Sequence, residues 1–578
     1  MSQLAPEKPT VTERVRTRRE RSDRVTAGRW WLAKSRQVLQ QQVFATCIRI
    51  EHRDNIRRLE VEKFQAMYEN DGNGKVNKDG RIPVSWRSGR LCFNVIRSCI
   101  DTVEAKVGNE RPRPIILTSD GDYPLEQKAK KLTDFLDGVF DTSGIYEECA
   151  RAFVDGCIGD GGAVRLFVEE VEGEAPQFRA ERVLPGEIMI DEVEAVYGKP
   201  RQIHQKRRIA REELEALYPD LADKIADAPA VRYAYDTDSE MIEVVESWHK
   251  PSRPGGDDGR HAICIDGLCL HEEPYEKDYF PFVFYFWTQA TRGGFWGTGL
   301  ASELLGIQVE INRLLRAMQV MQHRMGFGRA LVPEGSVEKD LITGEPGSIV
   351  PVKGMTGNPM FIGGTSSAPE VYSHLDRLIQ AAYQLTGVSE ASAQGRKPAG
   401  DLSGVALREV ADIQTERFSR KAVRFQKMHM QAAEIFIDMA RDLAKDGKIV
   451  SAKTRAGKFL STIPWNDVDL ADDQYVMDMY PVGLLPKTPA GRLQTVTELV
   501  EAGFLGKEEA LALLDFPDVK KAISLRTAAL DDARMIVDSM LDGGEYIERE
   551  PFMDLPLART LAQSSYLRGK TRKVSEEN

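Results

Sequence analysis

The 578-residue sequence predicts an α+β fold in which a mixed α/β first half is followed by very long helices. Three observations lead to this prediction. Runs of alternating apolar and polar residues, such as MIEVVESWH at 241–249, are typical of half-buried strands. An apolar seam that begins at Leu300 predicts one long helix. A second helical pattern extends from about Ser403, which suits an N-cap, to about Lys445.

The composition narrows the class of protein. With 42% hydrophobic and 29% charged residues, the chain is ordinary for a soluble protein with a core. No stretch approaches the roughly 18 apolar residues of a membrane helix, and the N-terminus lacks the apolar segment of a signal peptide. Seven cysteines, an odd number, suggest no disulfide framework and suit a reducing cytoplasm.

The net charge of −11 is unevenly distributed. Residues 1–40 hold ten Lys/Arg and four Asp/Glu, a net charge of +6, so the rest of the chain carries −17. An acidic body is a poor candidate for tight DNA binding, because phosphate neutralisation needs cations. The basic N-terminal arm is either a solvated, disordered tail or a contact for nucleic acid or an acidic partner.

The first half is a succession of helical and extended patterns. Residues 1–25 read as disordered, and a helical pattern follows from about Trp30 to Tyr68. NDGNGKVNKDGR at 70–81 is a turn-rich break. Helical patterns return at 94–109 and 125–141, and from 163 to 289 the chain is mostly β with a short helix near 210–225.

The strongest periodic signal is the apolar seam of a helix predicted over 299–325. Its residues recur at alternating intervals of four and three, a period of 3.5. They are Leu300, Leu304, Ile307, Ile311, Leu314, Met318, Met321 and Met325. Such a seam needs an apolar partner along its whole length.

Three further segments follow the seam. Residues 326–368 are rich in Gly and Pro with short apolar runs, which predicts a compact β-containing insert. Pro369 and Glu370 suit the first turn of a second helix, predicted to about residue 388. After the long helix, residues 446–485 alternate like strands, and residues 486–550 predict a small helical unit.

The loop SEASAQGRKPAGDLSG, from Ser389 to Gly404, separates two strongly helical segments. Gly395 and Gly400 widen its backbone freedom, and Arg396 and Lys397 are adjacent cations. A passive surface turn is one interpretation. The other is a mobile loop that contacts phosphate weakly and without sequence preference.

A basic face is predicted on the long helix. Arg417, Arg420, Arg424 and Lys427 recur at 3-4-3 spacing and therefore lie on one side. They form either a solvated face paired with Glu409, Asp412 and Glu416, or a surface directed at another subunit or at DNA.

Other candidate sites are weaker. HAICIDGLCLH brings His261, Cys264, Cys269 and His271 close in sequence and raises a zinc hypothesis. Asp266-Gly267 instead favours a type I′ hairpin that pairs Cys264 with Cys269 as ordinary strand residues, so we predict no metal site. SYLRGKT ends like a phosphate-binding loop, but Ser564 stands where the first Gly is needed. No catalytic set stands out, and we predict neither an enzyme nor a cofactor.

Several phrases, in their order, resemble a known family. They are NVIRSCIDTVEAKVGNERPRPII, FVDGCIGDGGAVRLFV, RVLPGEIMIDEVEAVYG, FWGTGLASELLGIQVEINRLL, TGVSEASAQG with SGVALRE, and GRLQTVTELVEAGFLGKEEALALLDFPD. Over about residues 45–550 the chain resembles a tailed-bacteriophage portal protein, the head-to-tail connector, of the short-tailed-phage branch. Only about 30 residues follow Glu548, so the long helical barrel of some members is not expected.

The resemblance implies a division of the chain into the parts of a portal fold. These are a basic N-terminal arm (1–45), the first part of the wing (46–298), a stem helix (299–325), the clip (326–368), a second stem helix (369–388), a channel or tunnel loop (389–404), the second part of the wing (405–485), the crown (486–550) and a C-terminal tail (551–578). The channel loop would present Gly395, Arg396, Lys397 and Gly400 to DNA.

The resemblance also implies function and partners. The chain would form a ring, usually of twelve copies, at one capsid vertex of the virion after assembly in the host cytoplasm. Double-stranded DNA would enter during packaging and leave during ejection. The expected partners are the major capsid protein, the terminase large subunit and a head-tail adaptor, without a membrane. Two alternatives stay open: a coiled-coil structural or scaffolding protein, and a zinc-dependent enzyme that uses the Cys264/Cys269 cluster.

Overall fold

The computed structural model describes most of the chain. The described ranges are 28–70, 92–108, 111–118, 123–170, 175–231, 240–291, 293–325, 329–333, 349–353, 360–362, 369–388, 404–456, 459–465, 475–480 and 553–571, with a few single positions between 358 and 548. The described residues are a mixture of helices and open sheets, which confirms the α+β prediction and is consistent with a portal fold.

The chain divides into two compact units. The larger comprises Met1–Asn109, Glu147–Leu166 and Ala180–Met428, and the smaller comprises Glu110–Tyr146, Phe167–Arg179 and His429–Asn578. The division does not follow the chain in one piece, because two segments of the first half belong to the smaller unit.

The larger unit is built around a five-stranded antiparallel sheet with the order β4-β5-β6-β7-β8. Its strands are β4 (Ile188–Met189), β5 (Gln202–Ala210), β6 (Met241–His249), β7 (Arg260–Ile265) and β8 (Leu268–Pro274). Two short helices, α5 (Arg211–Leu217) and α6 (Ala222–Ala226), follow β5. Leu214 and Ile225 of these helices pack with Ile242, Val244 and Ile265 in one hydrophobic cluster.

Helix α1 (Arg36–Tyr68) begins at Ser35, whose hydroxyl accepts a hydrogen bond from the amide of Val38 at 3.4 Å. Leu39, Val43, Cys47 and Ile50 on its inner side share a core cluster with residues of the five-stranded sheet. The apolar residues recur at intervals of three and four, so one side of the helix is buried.

Trp30 lies within the predicted arm of residues 1–45. Its side chain is completely buried, and its indole Nε1 donates to Gln202 Oε1 at 3.0 Å. Arg260 also donates from Nη1 to the carbonyl oxygens of Trp31 and Ala33, at 3.1 and 2.7 Å. Trp30 is therefore a core residue, and α1 begins within this segment at Arg36. The helical pattern predicted from about Trp30 to Tyr68 agrees with this position of α1.

A second, three-stranded sheet has the order β3-β2-β9. It consists of β2 (Gly162–Glu169), β3 (Gln177–Val183) and β9 (Phe282–Tyr285). The helix α4 (Ile145–Ile158) leads into β2 through the GDGG stretch. A Cβ atom at Gly162 would lie 1.7 Å from the carbonyl oxygen of Ala152, so no other residue fits there. Gly162 therefore allows close packing at this helix-to-strand junction.

The start of the next long helix packs against the same junction. A Cβ atom at Gly299, directly before α7 (Leu300–Met325), would lie 2.2 Å from the carbonyl oxygen of Gly159. The amide of Gly297 donates to the carbonyl oxygen of Asp160 at 2.9 Å. The start of α7 is thus held against the backbone at 159–160, without an intervening side chain.

Residues 326–368 contain a small sheet with the order β11-β10-β12. Its strands are β10 (Arg329–Pro333), β11 (Ile349–Val352) and β12 (Met360–Ile362). β10 pairs in parallel with β11 and antiparallel with β12. Helix α8 (Pro369–Thr386) then contacts α7, and α9 (Gly404–Lys445) follows. Short helix α2 (Val95–Val103), which continues as a π-turn to Gly108, also contacts α7.

The smaller unit is built around helix α3 (Tyr123–Ser143). Strand β1 (Arg113–Thr118) pairs with β15 (Tyr475–Tyr480), and β13 (Ser451–Ala456) pairs with β14 (Phe459–Pro464). The rings of Phe135 and Trp465 meet edge to face at 5.3 Å between centroids. Gly138 lets α3 approach β13 closely, since a Cβ atom there would lie 2.7 Å from the carbonyl oxygen of Lys453.

The predicted crown and the predicted C-terminal tail are described to different extents. Most of 486–550, the predicted crown, lies outside the described residues. Within the predicted tail of 551–578, the structure has a helix, α10 (Leu555–Thr571). Its last turn contains the RGKT sequence, so this is helix and not a phosphate-binding loop. No helix within the described ranges has the length and apolarity that a bilayer crossing requires.

Candidate functional site

The seam of α7 is buried at its beginning and progressively exposed towards its end. Leu300, Leu304 and Ile311 are at most 1% exposed. Ile307, Leu314, Met318 and Met321 are only half-buried, and the side chain of Met325 lies outside the described residues. One chain therefore covers the first part of the seam and leaves the second part incompletely covered.

The exposure of apolar side chains also changes along helix α8, but here it decreases towards the end of the helix. Leu375, Leu378 and Ile379 are half-buried, whereas Ala382 and Tyr383, nearer its end, are buried. Helices α7 and α8 contact each other, and both carry half-buried apolar residues away from their buried ends. Six of these residues are named the hairpin surface: Leu314, Met318, Met321, Leu375, Leu378 and Ile379.

A polar anchor fixes the buried end of α7, and the sequence analysis missed it. Gln308 is 1% exposed. Its Oε1 accepts from the amides of Val95 and Ile96 at 2.8 and 3.3 Å, and its Nε2 donates to the carbonyl oxygen of Phe93 at 2.8 Å. These amides at the start of α2 have no partner within their own helix. The only signal in the sequence was a Gln on the same side of α7 as Leu304 and Ile311.

The four cations predicted to share one face of α9 do not share one role. Arg417 donates from Nη1 and Nη2 to the carbonyl oxygens of Gln384 and Leu385, at 3.1 and 2.7 Å. Arg424 donates to the carbonyl oxygen of Trp287 at 2.6 Å. Arg420 and Lys427 are exposed. The side chains of Glu409, Asp412 and Glu416 lie outside the described residues, so their pairing remains a prediction.

Lys421 is a further cation on α9 that the 3-4-3 spacing did not include. Its Nζ donates to the carbonyl oxygen of Trp287 and to Thr288 Oγ1, the latter at 3.0 Å, and lies 4.2 Å from the centroid of the Trp287 ring. Burial, reinforced by the neighbouring Arg424, lowers the pKa of Lys421 to about 8. Lys421 and Arg424 together bind α9 to the end of β9.

The predicted channel loop, with Gly395, Arg396, Lys397 and Gly400, lies outside the described residues. The structure describes the two points from which it leaves. Helix α8 ends at Thr386, and Gly387 follows it with a φ of +75°, the left-handed conformation typical after a helix C-terminus. The next helix begins at Gly404. Arg417, 13 residues into that helix, contacts the end of α8.

The β7–β8 hairpin decides between the two interpretations of the Cys/His cluster. Cys264 pairs with Cys269 across the hairpin, and Gly267 has a φ of +85°, as the predicted turn requires. Both cysteines are buried in a hydrophobic cluster with Val43 and Ile50 of α1. The strand-partner interpretation of the cysteines is therefore confirmed. The two histidines of the same segment lie elsewhere on the hairpin, together with Glu273.

Comparison with known proteins gives one family. Residues 164–425 match the family model described as Phage SU10 portal protein. The match begins in β2, includes the five-stranded sheet, α7, the small sheet and α8, and ends in α9. A search of curated proteins found no match. This family has a structural and not a catalytic role. This match supports a phage portal protein of the short-tailed-phage type, as the sequence resemblance implies.

Proposed function

We propose that this portal protein forms a closed ring, of twelve copies by family resemblance, at one vertex of the capsid. Double-stranded DNA passes through the ring without sequence-specific contacts during packaging and ejection. The ring contacts the major capsid protein in the virion, the terminase large subunit during packaging and a head-tail adaptor afterwards. Assembly takes place in the host cytoplasm.

The hairpin surface is the observation that carries this proposal. Its six apolar side chains are half-buried although α7 and α8 already contact each other. Partly exposed apolar surface of this kind marks a protein interface. A head-to-tail contact repeated around a closed ring covers the same surface on every copy with one kind of contact.

The anchoring of α7 supports a rigid hairpin. Gln308 fixes the helix to α2, and the Gly299 contact fixes its start against residue 159. A helix of 26 residues extends roughly 39 Å at ~1.5 Å per residue. The hairpin therefore presents its exposed apolar side at a defined angle, which a closed ring requires of every subunit.

The small sheet at 326–368 is the proposed clip. Its three strands pair only with one another among the described residues. It follows α7 and precedes α8, so it lies at the tip of the hairpin. A self-contained sheet at this position is suited to docking first the terminase and later the adaptor, and this role rests on the family resemblance.

The loop of residues 389–404 is the proposed channel loop. Two adjacent cations, Arg396 and Lys397, can give each subunit only a weak, salt-sensitive attraction to phosphate, which a sliding contact requires. The acidic body, with −17 outside residues 1–40, limits stronger adhesion of DNA to the wall. Arg420 and Lys427, which are exposed, remain candidates for a second basic surface.

The ring is tested with matched charge insertions on α7. Leu314→Glu and Met318→Glu place a charge on the hairpin surface, and Val320→Glu places it on the opposite, exposed side of the same helix. Native mass spectrometry of the wild type should show a single large closed oligomer. The first two variants should instead be monomers or small oligomers. The control should assemble. A wild type that remains monomeric or dimeric at micromolar concentration contradicts the proposal.

A further inference from the structure

The β7–β8 hairpin places three metal-binding side chains on one face. His261 is directly opposite Glu273 in the antiparallel register, and His271 lies two residues before Glu273 on the same strand. Residues two apart on a strand point to the same side. One ligand atom from each of His261, His271 and Glu273 lies within 4.8 Å of the others. This group is distinct from the buried cysteine pair of the same hairpin.

The distances within the group are close to those between ligands of one ion, although the His261–Glu273 pair is at hydrogen-bond distance and would have to separate slightly. His261 Nδ1 lies 2.7 Å from Glu273 Oε1, and His271 Nε2 lies 3.3 Å from Glu273 Oε2. Two ligands bound to one zinc ion at about 2.1 Å in tetrahedral geometry lie roughly 3.4 Å apart. Small side-chain rotations are thus enough to direct all three ligand atoms at a common point.

The orientation of His261 is fixed from its other side. Its Nε2 lies 3.0 Å from Glu246 Oε1 and its Nδ1 lies 2.7 Å from Glu273 Oε1, so without an ion each nitrogen donates a proton to a carboxylate. An ion bound at Nδ1 displaces that proton, while Nε2 keeps its bond to Glu246. Arg165 in turn holds Glu246 through two hydrogen bonds, at 2.6 and 2.9 Å. A histidine that donates one nitrogen to a carboxylate and turns the other towards the site is the usual second layer of a metal centre.

The ring of His261 is also held in plane by stacking. It lies parallel to the indole of Trp248, with 5.1 Å between centroids and 13° between planes. Glu246 is 7% exposed and His261 is 8% exposed, so both are built into the core. In contrast, the side chains of His271 and Glu273 are 45% and 49% exposed, so an ion can reach the group from solvent.

We propose that His261 Nδ1, His271 Nε2 and the Glu273 carboxylate bind one divalent transition-metal ion of the zinc class. Two imidazoles and one carboxylate suit zinc and its neighbours, whereas calcium and magnesium prefer sets of oxygen ligands. Water fills the remaining coordination position on the exposed side. The ion joins β7 to β8 beyond the turn and stiffens the outer edge of the five-stranded sheet. The inference is independent of the proposed ring.

The probe is zinc chloride, added to untagged, chelator-treated full-length protein and followed by isothermal titration calorimetry and elemental analysis. The wild type should bind one ion per chain with micromolar or tighter affinity. His271→Ala and Glu273→Gln alter half-exposed side chains and should each weaken binding at least tenfold without loss of helical circular dichroism. His374→Ala, an exposed histidine on α8, is the matched control and should bind as the wild type does.

Two further measurements separate this site from a cysteine site. Cobalt(II) bound to the wild type should give a visible spectrum without thiolate charge-transfer bands. The conservative pair Cys264→Ala with Cys269→Ala should retain the ion. The proposal is overturned if the wild type binds no zinc at micromolar concentration, or if His271→Ala and Glu273→Gln bind it as tightly as the wild type.

Discussion

The guanidinium of Arg417, on α9, donates Nη2 to the carbonyl oxygen of Leu385, on α8, at 2.7 Å. A second bond from Nη1 to Gln384 makes the contact bidentate. Helix C-terminal carbonyls lack partners within their own helix and carry partial negative charge, so a cation is favoured there. Arg417 thus joins the end of α8 to α9, at a point 13 residues after α9 begins at Gly404.

Arg417→Ala should loosen the contact between the end of α8 and α9. We expect a loss of roughly 1 kcal/mol in the free energy of unfolding, the usual net value of such hydrogen bonds, and faster amide exchange in the last turn of α8. Arg420→Ala removes an exposed cation from the same helix and is the matched control. Equal exchange rates in wild type and Arg417→Ala would show that the contact does not hold the helix end.

The channel loop is tested with Arg396→Ala combined with Lys397→Ala. We expect normal ring assembly and near-normal stability, but poorer packaging or retention of full-length DNA in particles. The deficit should be largest at low salt and should shrink at high salt, because salt weakens the phosphate contacts of the wild type as well. Lys130→Ala with Lys131→Ala, an adjacent exposed pair on α3, is the control. If particles made with the double variant contain as much DNA as wild-type particles at both low and high salt, the loop is a passive turn.

Deletion of residues 326–368, with a short Gly/Ser linker between α7 and α8, tests the clip. The remaining body should fold with unchanged thermal stability, because the three strands of the insert pair only with one another among the described residues. Terminase binding and DNA packaging should be lost. If the deletion protein still packages DNA, the docking surface lies elsewhere.

The burial of Trp30 predicts that the core begins well before residue 45. Trp30→Ala should cost about 3–5 kcal/mol in the free energy of unfolding, as for other large-to-small core changes. Leu32→Ala, at a residue that is 54% exposed, should cost far less. Denaturant unfolding of both variants gives the comparison, and similar losses would mean that Trp30 is not a core anchor.

His204 predicts acid sensitivity of the larger unit. It is completely buried, Nδ1 lies 2.7 Å from Ser247 Oγ, and burial lowers its pKa from 6.5 to about 3. In the unfolded chain this histidine is protonated below about pH 6.5, whereas in the folded chain it stays neutral until about pH 3. The free energy of unfolding therefore decreases as the pH drops through this window. Burial lowers the pKa of His249 to about 4, with the same sign.

The measurement is the urea midpoint at neutral pH and near pH 5. His204→Gln retains a hydrogen-bonding group towards Ser247 and should reduce the loss by roughly 2 kcal/mol, at ~1.4 kcal/mol per pH unit. His52→Gln, on the exposed side of α1, should leave the pH dependence unchanged. An unchanged slope in His204→Gln would assign the acid sensitivity to other groups.

Elements with a long local repeat were predictable from the sequence. In the structure α7 spans Leu300–Met325, and the apolar seam predicted 299–325. Helix α9 spans Gly404–Lys445, and its helical pattern predicted about 403–445. The hairpin of Cys264 and Cys269 was predictable because Asp-Gly determines the turn and the turn determines the register. In each case neighbouring residues in the chain contain the information.

Contacts between distant segments were not predictable in the same way. Nothing near Gln308 in the sequence indicates that it accepts from Val95, and nothing near Arg417 indicates that it reaches Leu385. Glu273 was missed as a partner of His261 because a ligand search by Cys/His spacing ignores carboxylates. The burial of Trp30 depends on Gln202, 172 residues away.

The contact between Gly299 and the carbonyl oxygen of Gly159 has a consequence for how this protein tolerates change. The start of α7 is set by two stretches of main chain in direct contact, and the Gln308 side chain then holds the helix to α2. Exposed substitutions along the helix leave both contacts in place, whereas a methyl group added at residue 299 would force the helix to tilt away from residue 159. In a closed ring that tilt repeats in every copy, so a change of a single carbon atom becomes an error in the diameter of the assembly.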